Sequence, residues 1–189
     1  MQANPRKTSS VRFLGPIALG GIVAEIDAIP EETWERENSA KPNKFDALDR
    51  TQHIVFRFVS SFADWRQSYE TPIWQEWKPR IQPLLAQAVA PYGYRQGAFP
   101  RIMLARMAPG GVIHPHVDAN PAARWPHKIH IPIQTNAQVS FFVDPNEHHF
   151  EVGQAYEVNN LGRHAVRNAG TTSRIHLIFE YYDVEQPDS

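Results

Sequence analysis

Residues Arg101–Asp118 read RIMLARMAPGGVIHPHVD, and the reading of this stretch decides the fold. Two apolar runs, Arg101–Met107 and Val112–Val117, flank Pro109-Gly110-Gly111. Proline and glycine together punctuate a chain at turns, so the stretch reads as strand, turn, strand. Working outward, the same pattern continues downstream in Lys128–Thr135, Val139–Val143, Ala155–Asn159, His164–Asn168 and Arg174–Tyr182. Asp144-Pro145-Asn146, Gly153, Gly162 and Asn168-Ala169-Gly170 separate these segments. Short strands at close spacing predict a β-sandwich or barrel over about residues 99–183.

Upstream, about residues 10–92 mix element types. Ile17–Ile26 is apolar and predicts one or two strands. Thr51–Ser60 alternates, with Ile54, Phe56 and Phe58 on one side and His53, Val55 and Arg57 on the other, which predicts a half-buried strand. The polar stretch Glu37–Asp49 reads as a loop. Thr71-Pro72 has the form of an N-cap followed by proline at the first helical position. Ile73, Trp74, Trp77, Ile81, Leu84, Leu85 and Val89 then recur at helical spacing up to Pro91-Tyr92-Gly93, with Trp74 and Trp77 expected in the core. Pro79 and Pro83 predict that this helix is kinked or split. The whole chain, residues 1–189, is expected to be one α+β domain, its N-terminal helices flanking the β core.

Composition narrows the function. At 189 residues, 42% hydrophobic and 21% charged, the chain reads as globular. Its formal net charge of -1 carries no basic footprint, so no nucleic-acid partner is expected. The absence of cysteine excludes disulfides, thiolate zinc sites and cysteine nucleophiles. Met1–Pro16 has no apolar run of signal-peptide length, and no stretch approaches the roughly 18 apolar residues of a membrane helix. A cytoplasmic location and no membrane partner are therefore the expectation. Eight of the nine histidines fall between His114 and His176, and histidine is the commonest metal ligand.

In an extended strand, residues two apart point the same way, so His116 and Asp118 project together. An imidazole beside a carboxylate supplies two corners of a 2-His-1-carboxylate triad, which leaves open metal positions for a bidentate co-substrate and oxygen. His164 is the candidate third corner. His114 is a rival on the same face, expected to sit further along the strand. His148 and His149 follow a polar turn and read as solvated. Arg174 follows His164 by ten residues. A hairpin centred near Ala169 would set the two on adjacent strands, with the arginine forking onto a carboxylate beyond the metal. 2-Oxoglutarate has the matching chemistry: its keto-acid end chelates iron and its far carboxylate needs a buried cation. His130 alternates with Lys128 and Pro132 and is expected to face inward, and His176 shares the face of Arg174. Trp125, in the loop Ala119–Pro126, would gate the site or pack on the barrel. Phe141-Phe142 is expected to send one ring in each direction.

These motifs resemble the 2-oxoglutarate/iron(II) oxygenases of the aspartyl/asparaginyl β-hydroxylase type over about residues 99–182. The resemblance rests on Pro109-Gly110, His114-Pro115-His116-x-Asp118, Lys128-Ile129-His130, Gly153, His164 and Arg174-Ile175-His176-Leu177-Ile178. It implies a double-stranded β-helix, a jelly-roll, cupin-like core. It also implies iron(II), 2-oxoglutarate and O2, with His116 and His164 matching the family's two iron-binding histidines. Arg174 matches the arginine for the distal carboxylate, and Lys128 and His130 match a basic pair near the co-substrate's other end. The best-known branch has glycine where Asp118 stands and serine where Ala105 stands, so Asp118 resembles the fuller triad of the wider superfamily. The implied substrate is an amino acid, an aspartyl or asparaginyl side chain in a protein, or a related small molecule, and the short chain favours a small one. Base-demethylating relatives carry asparagine and a second arginine where His176 and Glu180 stand. Two other readings are a cupin-type metalloenzyme that uses no 2-oxoglutarate and a non-catalytic metal- or small-molecule-binding barrel. The first gives Arg174 no role.

Overall fold

The structure, a computed structural model, describes residues 7, 9–44, 50–118 and 120–185. Its strands are β1 (Val11–Pro16), β2 (Thr51–Ser61), β3 (Asp64–Glu70), β4 (Gly97–Ala98), β5 (Ile102–Met107), β6 (Val112–His116), β7 (His127–Gln134), β8 (Val139–Val143), β9 (Asn146–His148), β10 (Gln154–Val158), β11 (His164–Asn168) and β12 (Arg174–Asp183). Its helices are α1 (Ile22–Asp27), α2 (Glu31–Ala40) and α3 (Trp74–Val89). The large sheet runs β1-β10-β7-β12-β5-β2-β3, with β4 attached to β12, and the small sheet runs β6-β11-β8-β9. Two antiparallel sheets face to face, with helices on one outer side, make an α+β jelly roll.

Central strands of the large sheet are buried on both faces, and their alternation sorts side chains between two cores. On β12, Ile175, Leu177, Phe179 and Tyr181 join Ile54, Phe56, Leu104, Ile129 and Ile131 against Trp34, Trp74, Trp77, Ile81 and Leu85 of the helices. The alternate β12 residues, Arg174, His176, Ile178 and Glu180, face the small sheet. Its own apolar layer is Ile113, Val139, Phe141, Val143 and Val166, closed by Met107, Phe150 and Val158. Phe141 points inward at 3% exposure and Phe142 outward at 37%, as the alternation required.

Several sequence expectations need correction. Ile17–Ile26 is not a strand. β1 precedes it, zipped onto β10, and Ile22 and Ile26 are the buried face of α1. The loop expected from Glu37 is helical through Ala40, and the remainder of that expectation at 45–49 lies outside the described residues. β2 is buried on both faces rather than one, because the helices cover one side and the jelly-roll interior the other. A register shift against β5 between Val55 and Arg57 also turns Phe58 away from Ile54 and Phe56. Thr71 does not cap α3; its hydroxyl donates to the Val55 carbonyl at 2.6 Å, and the helix starts at Trp74. α3 runs unbroken through Pro79 and Pro83, so the helix is not split in two.

The segment Asn168-Ala169-Gly170 closes no hairpin. β11 pairs with β6 and β8, and β12 pairs with β5 and β7, so the chain crosses there from one sheet to the other. Asn168 pins the crossing by donating from Nδ2 to the carbonyls of Ala108, at 3.2 Å, and Thr172, at 2.9 Å. A Cβ at Gly170 would meet Asn136 Oδ1 at 2.1 Å, so any larger residue would have to displace the Asn136 side chain. Gly110 turns β5 into β6 at φ 75, a conformation glycine adopts without strain.

Candidate metal and co-substrate site

Strand pairing brings the metal candidates together. β11 lies antiparallel to β6 with His164 directly opposite His116, and their ring centroids are 4.2 Å apart. Asp118 lies two residues beyond the end of β6, where its backbone N–H donates to the Asn160 carbonyl at 3.0 Å. One donor atom from each of His116, Asp118 and His164 lies within 4.8 Å of the others, close enough to share one ion. His116 Nδ1 donates to the His114 carbonyl at 2.8 Å and His164 Nδ1 to the Gly162 carbonyl at 3.0 Å. Those backbone acceptors fix the tautomers, leaving both Nε2 lone pairs facing the shared point. His114 itself is exposed and stands outside the trio.

The acid is held as firmly as the imidazoles. Lys128 Nζ donates to Asp118 Oδ2 at 2.5 Å, and fully buried Asn160 donates to the same oxygen at 3.3 Å and to the Ala123 carbonyl at 2.9 Å. Asn160 Oδ1 in turn accepts from Lys7. Asp118 Oδ1 is thereby left toward the histidines, 3.8 Å from His116 Nε2 and 4.0 Å from His164 Nε2. Burial pushes the Asp118 carboxyl up, but Lys128, with His164 and His116, outweighs it and holds the group well below the usual carboxylate range. Burial and then Lys128 push the His164 imidazole down to about 4 despite the opposing field of Asp118. A carboxylate and a neutral imidazole at neutral pH are the forms a metal requires.

Arg174 stands in the opposite sheet from His164, which corrects the expected hairpin pairing. It is reached across the jelly-roll interior instead. Its side chain is 1% exposed, and among the described residues it forms no ion pair. Nη2 donates to His176 Nδ1 at 2.6 Å. Arginine offers only donors, so that bond places the His176 proton on Nε2. Among the described residues Arg174 Nε and His176 Nε2 are then two buried N–H groups with no partner, and His130 Nε2 is likewise unsatisfied. His130 Nδ1 lies 3.4 Å from His176 Nδ1. Burial, and then Arg174, push His130 and His176 well below the ordinary imidazole value, while burial lowers Arg174 to about 9 and leaves it charged at neutral pH. An unpaired buried cation costs several kcal/mol, roughly, and a carboxylate set among these donors removes that cost. The residues present therefore fit iron at the His116, Asp118 and His164 end and a dicarboxylate reaching toward Arg174. The expected pairing of Lys128 with His130 divides: Lys128 holds the metal-side acid, and His130 lines the deeper cradle.

A cavity of about 420 Å³ opens beside His116 and Asp118, between Phe58, Arg101, Met103, Lys128, Ile178 and Glu180. Sequence reasoning missed Asn160, Arg101 and Asn43 as site residues. For Glu180 a signal existed, since it continues the inward row Arg174, His176, Ile178. Trp125 packs against Trp65 with ring centroids 6.2 Å apart. His149 is exposed and His148 only partly so.

Geometry of this kind defines a class, the jelly-roll oxygenases that hold iron(II) and 2-oxoglutarate side by side. Within it, the chain belongs to the aspartyl/asparaginyl β-hydroxylase family, whose sequence profile matches residues 21–186. The match extends upstream of the motifs read from the sequence and makes the chain a hydroxylase whose cofactors are iron(II), 2-oxoglutarate and O2. Solved structures share the fold. An oxidoreductase of the 2OG-Fe(II) oxygenase family from Burkholderia pseudomallei superposes with TM-score 0.62 at 15% identity, over 96% of this chain and 92% of the other. The viral collagen prolyl hydroxylase of Paramecium bursaria Chlorella virus-1 gives 0.54 at 10% identity, over 94% and 98%. A Pseudomonas putida prolyl-4-hydroxylase gives 0.51 at 16% identity, over 93% and 94%. No curated protein matches the sequence. Among the described residues no helix is long and apolar enough to cross a membrane.

The buried histidines set a pH dependence. His53 is pushed down to about 3 by burial and then Lys41, and His130 and His176 are lowered as well. Each takes up a proton near its ordinary value of 6.5 only when unfolded. Their contribution to stability is complete above that pH and is lost as pH falls toward the folded values. Each such histidine costs about 1.4 kcal/mol per pH unit in that window. The unfolding temperature of the metal-free protein is expected to hold between pH 8 and pH 7 and to drop steeply between about pH 6 and pH 4.5. Differential scanning calorimetry across that range checks it, and a flat profile contradicts the neutral, buried assignment.

Proposed function

We propose that the protein hydroxylates an unactivated C–H bond of an amino acid, an aspartyl or asparaginyl side chain, or a related small molecule, with iron on His116, Asp118 and His164. Two observations support this reading: three donor atoms lie within 4.8 Å of one another, and Arg174, on the opposite sheet, is a buried guanidinium with no ion pair among the described residues. A cupin-type metalloenzyme without a co-substrate leaves that buried guanidinium without a task.

Iron(II), 2-oxoglutarate and O2 supply the oxidising chemistry, in which C–H becomes C–OH and succinate and carbon dioxide leave. The chain supplies position and a dry surround. His116, Asp118 and His164 would hold the iron, and His116 and Asp118 line the adjoining cavity. Lys128 and Asn160 keep Asp118 from rotating out of that seat, since both hold Oδ2. Arg174 and His176 offer N–H groups to the far carboxylate, which sets the co-substrate's depth. Phe58, Met103 and Ile178 exclude water from the reacting bond.

The test is succinate release by iron-loaded protein over a panel of free amino acids, aspartyl and asparaginyl peptides, and prolyl compounds. Prolyl compounds enter because two structural neighbours are prolyl hydroxylases. The expected result is succinate that requires both iron(II) and 2-oxoglutarate, rises about tenfold or more with the right compound, and accompanies a product one oxygen heavier. Succinate independent of iron, or none with any compound, contradicts the proposal.

A further inference from the structure

The cavity beside the metal seat contains an ion pair that the reaction chemistry above does not use. Arg101, just before β5, and Glu180, on β12, are 6% and 3% exposed. Arg101 Nη1 donates to both Glu180 oxygens, at 2.7 and 2.6 Å. The backbone N–H of Glu180 also donates to the Arg101 carbonyl at 2.9 Å, so the pair is fixed to the sheet. A buried ion pair adds little net stability compared with apolar groups of the same size, so stability alone does not account for one in a cavity wall. Arg101 also keeps donors to spare. Beyond Glu180, among the described residues, it reaches only Asn120 Oδ1, at 3.4 Å from Nη2, and its guanidinium lies 5.2 Å from the Phe58 ring centre.

A second observation concerns Asn43, which lines the same cavity and is 4% exposed. Its amide nitrogen rests against Met103 sulfur at 4.0 Å, and among the described residues its carbonyl Oδ1 has no partner. A buried, unpartnered acceptor costs about 1–3 kcal/mol, which a ligand N–H would recover. The cavity wall thus presents spare guanidinium donors, a carboxylate and an unsatisfied acceptor, with Met103 and Ile178 as its apolar part.

We infer that the substrate is a free α-amino acid with a largely aliphatic side chain. Its α-carboxylate lies on Arg101, and its α-ammonium lies between Glu180 and Asn43 Oδ1. The carboxylate takes the spare guanidinium N–H groups, and the ammonium supplies the N–H groups that Glu180 and Asn43 accept. A residue inside a peptide carries neither charge and would set neutral amides against a desolvated ion pair, an unfavourable exchange. The inference rests on the hydroxylase reading and specifies its substrate.

The test is calorimetric binding without oxygen, on full-length protein loaded with iron(II). 2-Oxoglutarate is titrated first, then the free L-amino acids, then the methyl ester and the N-acetyl derivative of each that binds. At least one free amino acid is expected to bind, and blocking either end is expected to weaken it tenfold or more. Exchanging Arg101→Met and Glu180→Gln together removes the pair without stranding either charge. This double variant is expected to keep a cooperative unfolding transition and to lose tenfold or more in amino-acid affinity. Asn43→Ala is expected to lose several-fold. Binding of 2-oxoglutarate with equal binding of blocked and free compounds, with no amino acid bound, or with full affinity in the double variant would overturn this inference alone. Failure of 2-oxoglutarate to bind the wild type would overturn the hydroxylase reading and this inference with it.

Discussion

His164→Ala is expected to lower iron-dependent 2-oxoglutarate turnover by about 1000-fold or more, equivalent to about 4 kcal/mol. The imidazole is 6% exposed, opposite His116 across the β6–β11 ladder, and its tautomer is fixed by the Gly162 carbonyl. Alanine removes one of three protein donors, and among the described residues no other histidine or acid joins the cluster, His114 being exposed. Bound iron is expected to fall well below one per chain, measured by elemental analysis after desalting. The control is Arg167→Ala, at an exposed position on the same strand, which is expected to keep iron and turnover. Normal iron content in His164→Ala would refute the assignment of that ligand.

Arg174→Met is expected to have two effects of opposite sign. In the metal-free protein an isolated guanidinium with no anionic partner is replaced by an apolar chain of similar length, so the unfolding temperature is expected to hold or rise. The same change removes the charged end of the co-substrate cradle and one of its two unpartnered donors. A truncated, hydrogen-bonded charge pair is worth about 2–5 kcal/mol, so affinity for 2-oxoglutarate is expected to fall about 30-fold or more. Thermal unfolding with and without 2-oxoglutarate reads both effects in one experiment. Wild type is expected to gain several degrees with the ligand, and the variant none. A variant that is destabilised when metal-free yet still stabilised by 2-oxoglutarate would mean that Arg174 is a structural residue.

What the sequence reveals depends on the range of the interaction. Strand and turn punctuation is local, and the segments from Arg101 to Tyr182 match β5–β8 and β10–β12 to within a residue or two. His116 and Asp118 were legible because two-residue spacing is the strand's own period, although Asp118 lies just past the strand end. α1 was missed because six residues show too little period, although Ile22 and Ile26 are spaced like a helix face. The partner strand of β12 was not legible, because a turn such as Asn168-Ala169-Gly170 serves a hairpin and a crossover equally well. β12 itself held a clue. From Arg174 to Tyr181 every residue but half-buried Ile178 is buried, the pattern of a strand covered on both sides, whereas β11 exposes Arg167. Arg101 and Glu180 are 79 residues apart in the chain, and no local pattern announces their ion pair.

The most direct measurement is diffraction at the iron absorption edge from crystals grown without oxygen in iron(II) and 2-oxoglutarate. The expected result is one anomalous peak bonded to His116 Nε2, His164 Nε2 and an Asp118 oxygen, with a dicarboxylate chelating it and ending against Arg174 and His176. Iron seated elsewhere, or a dicarboxylate that leaves Arg174 unpaired, would contradict the account.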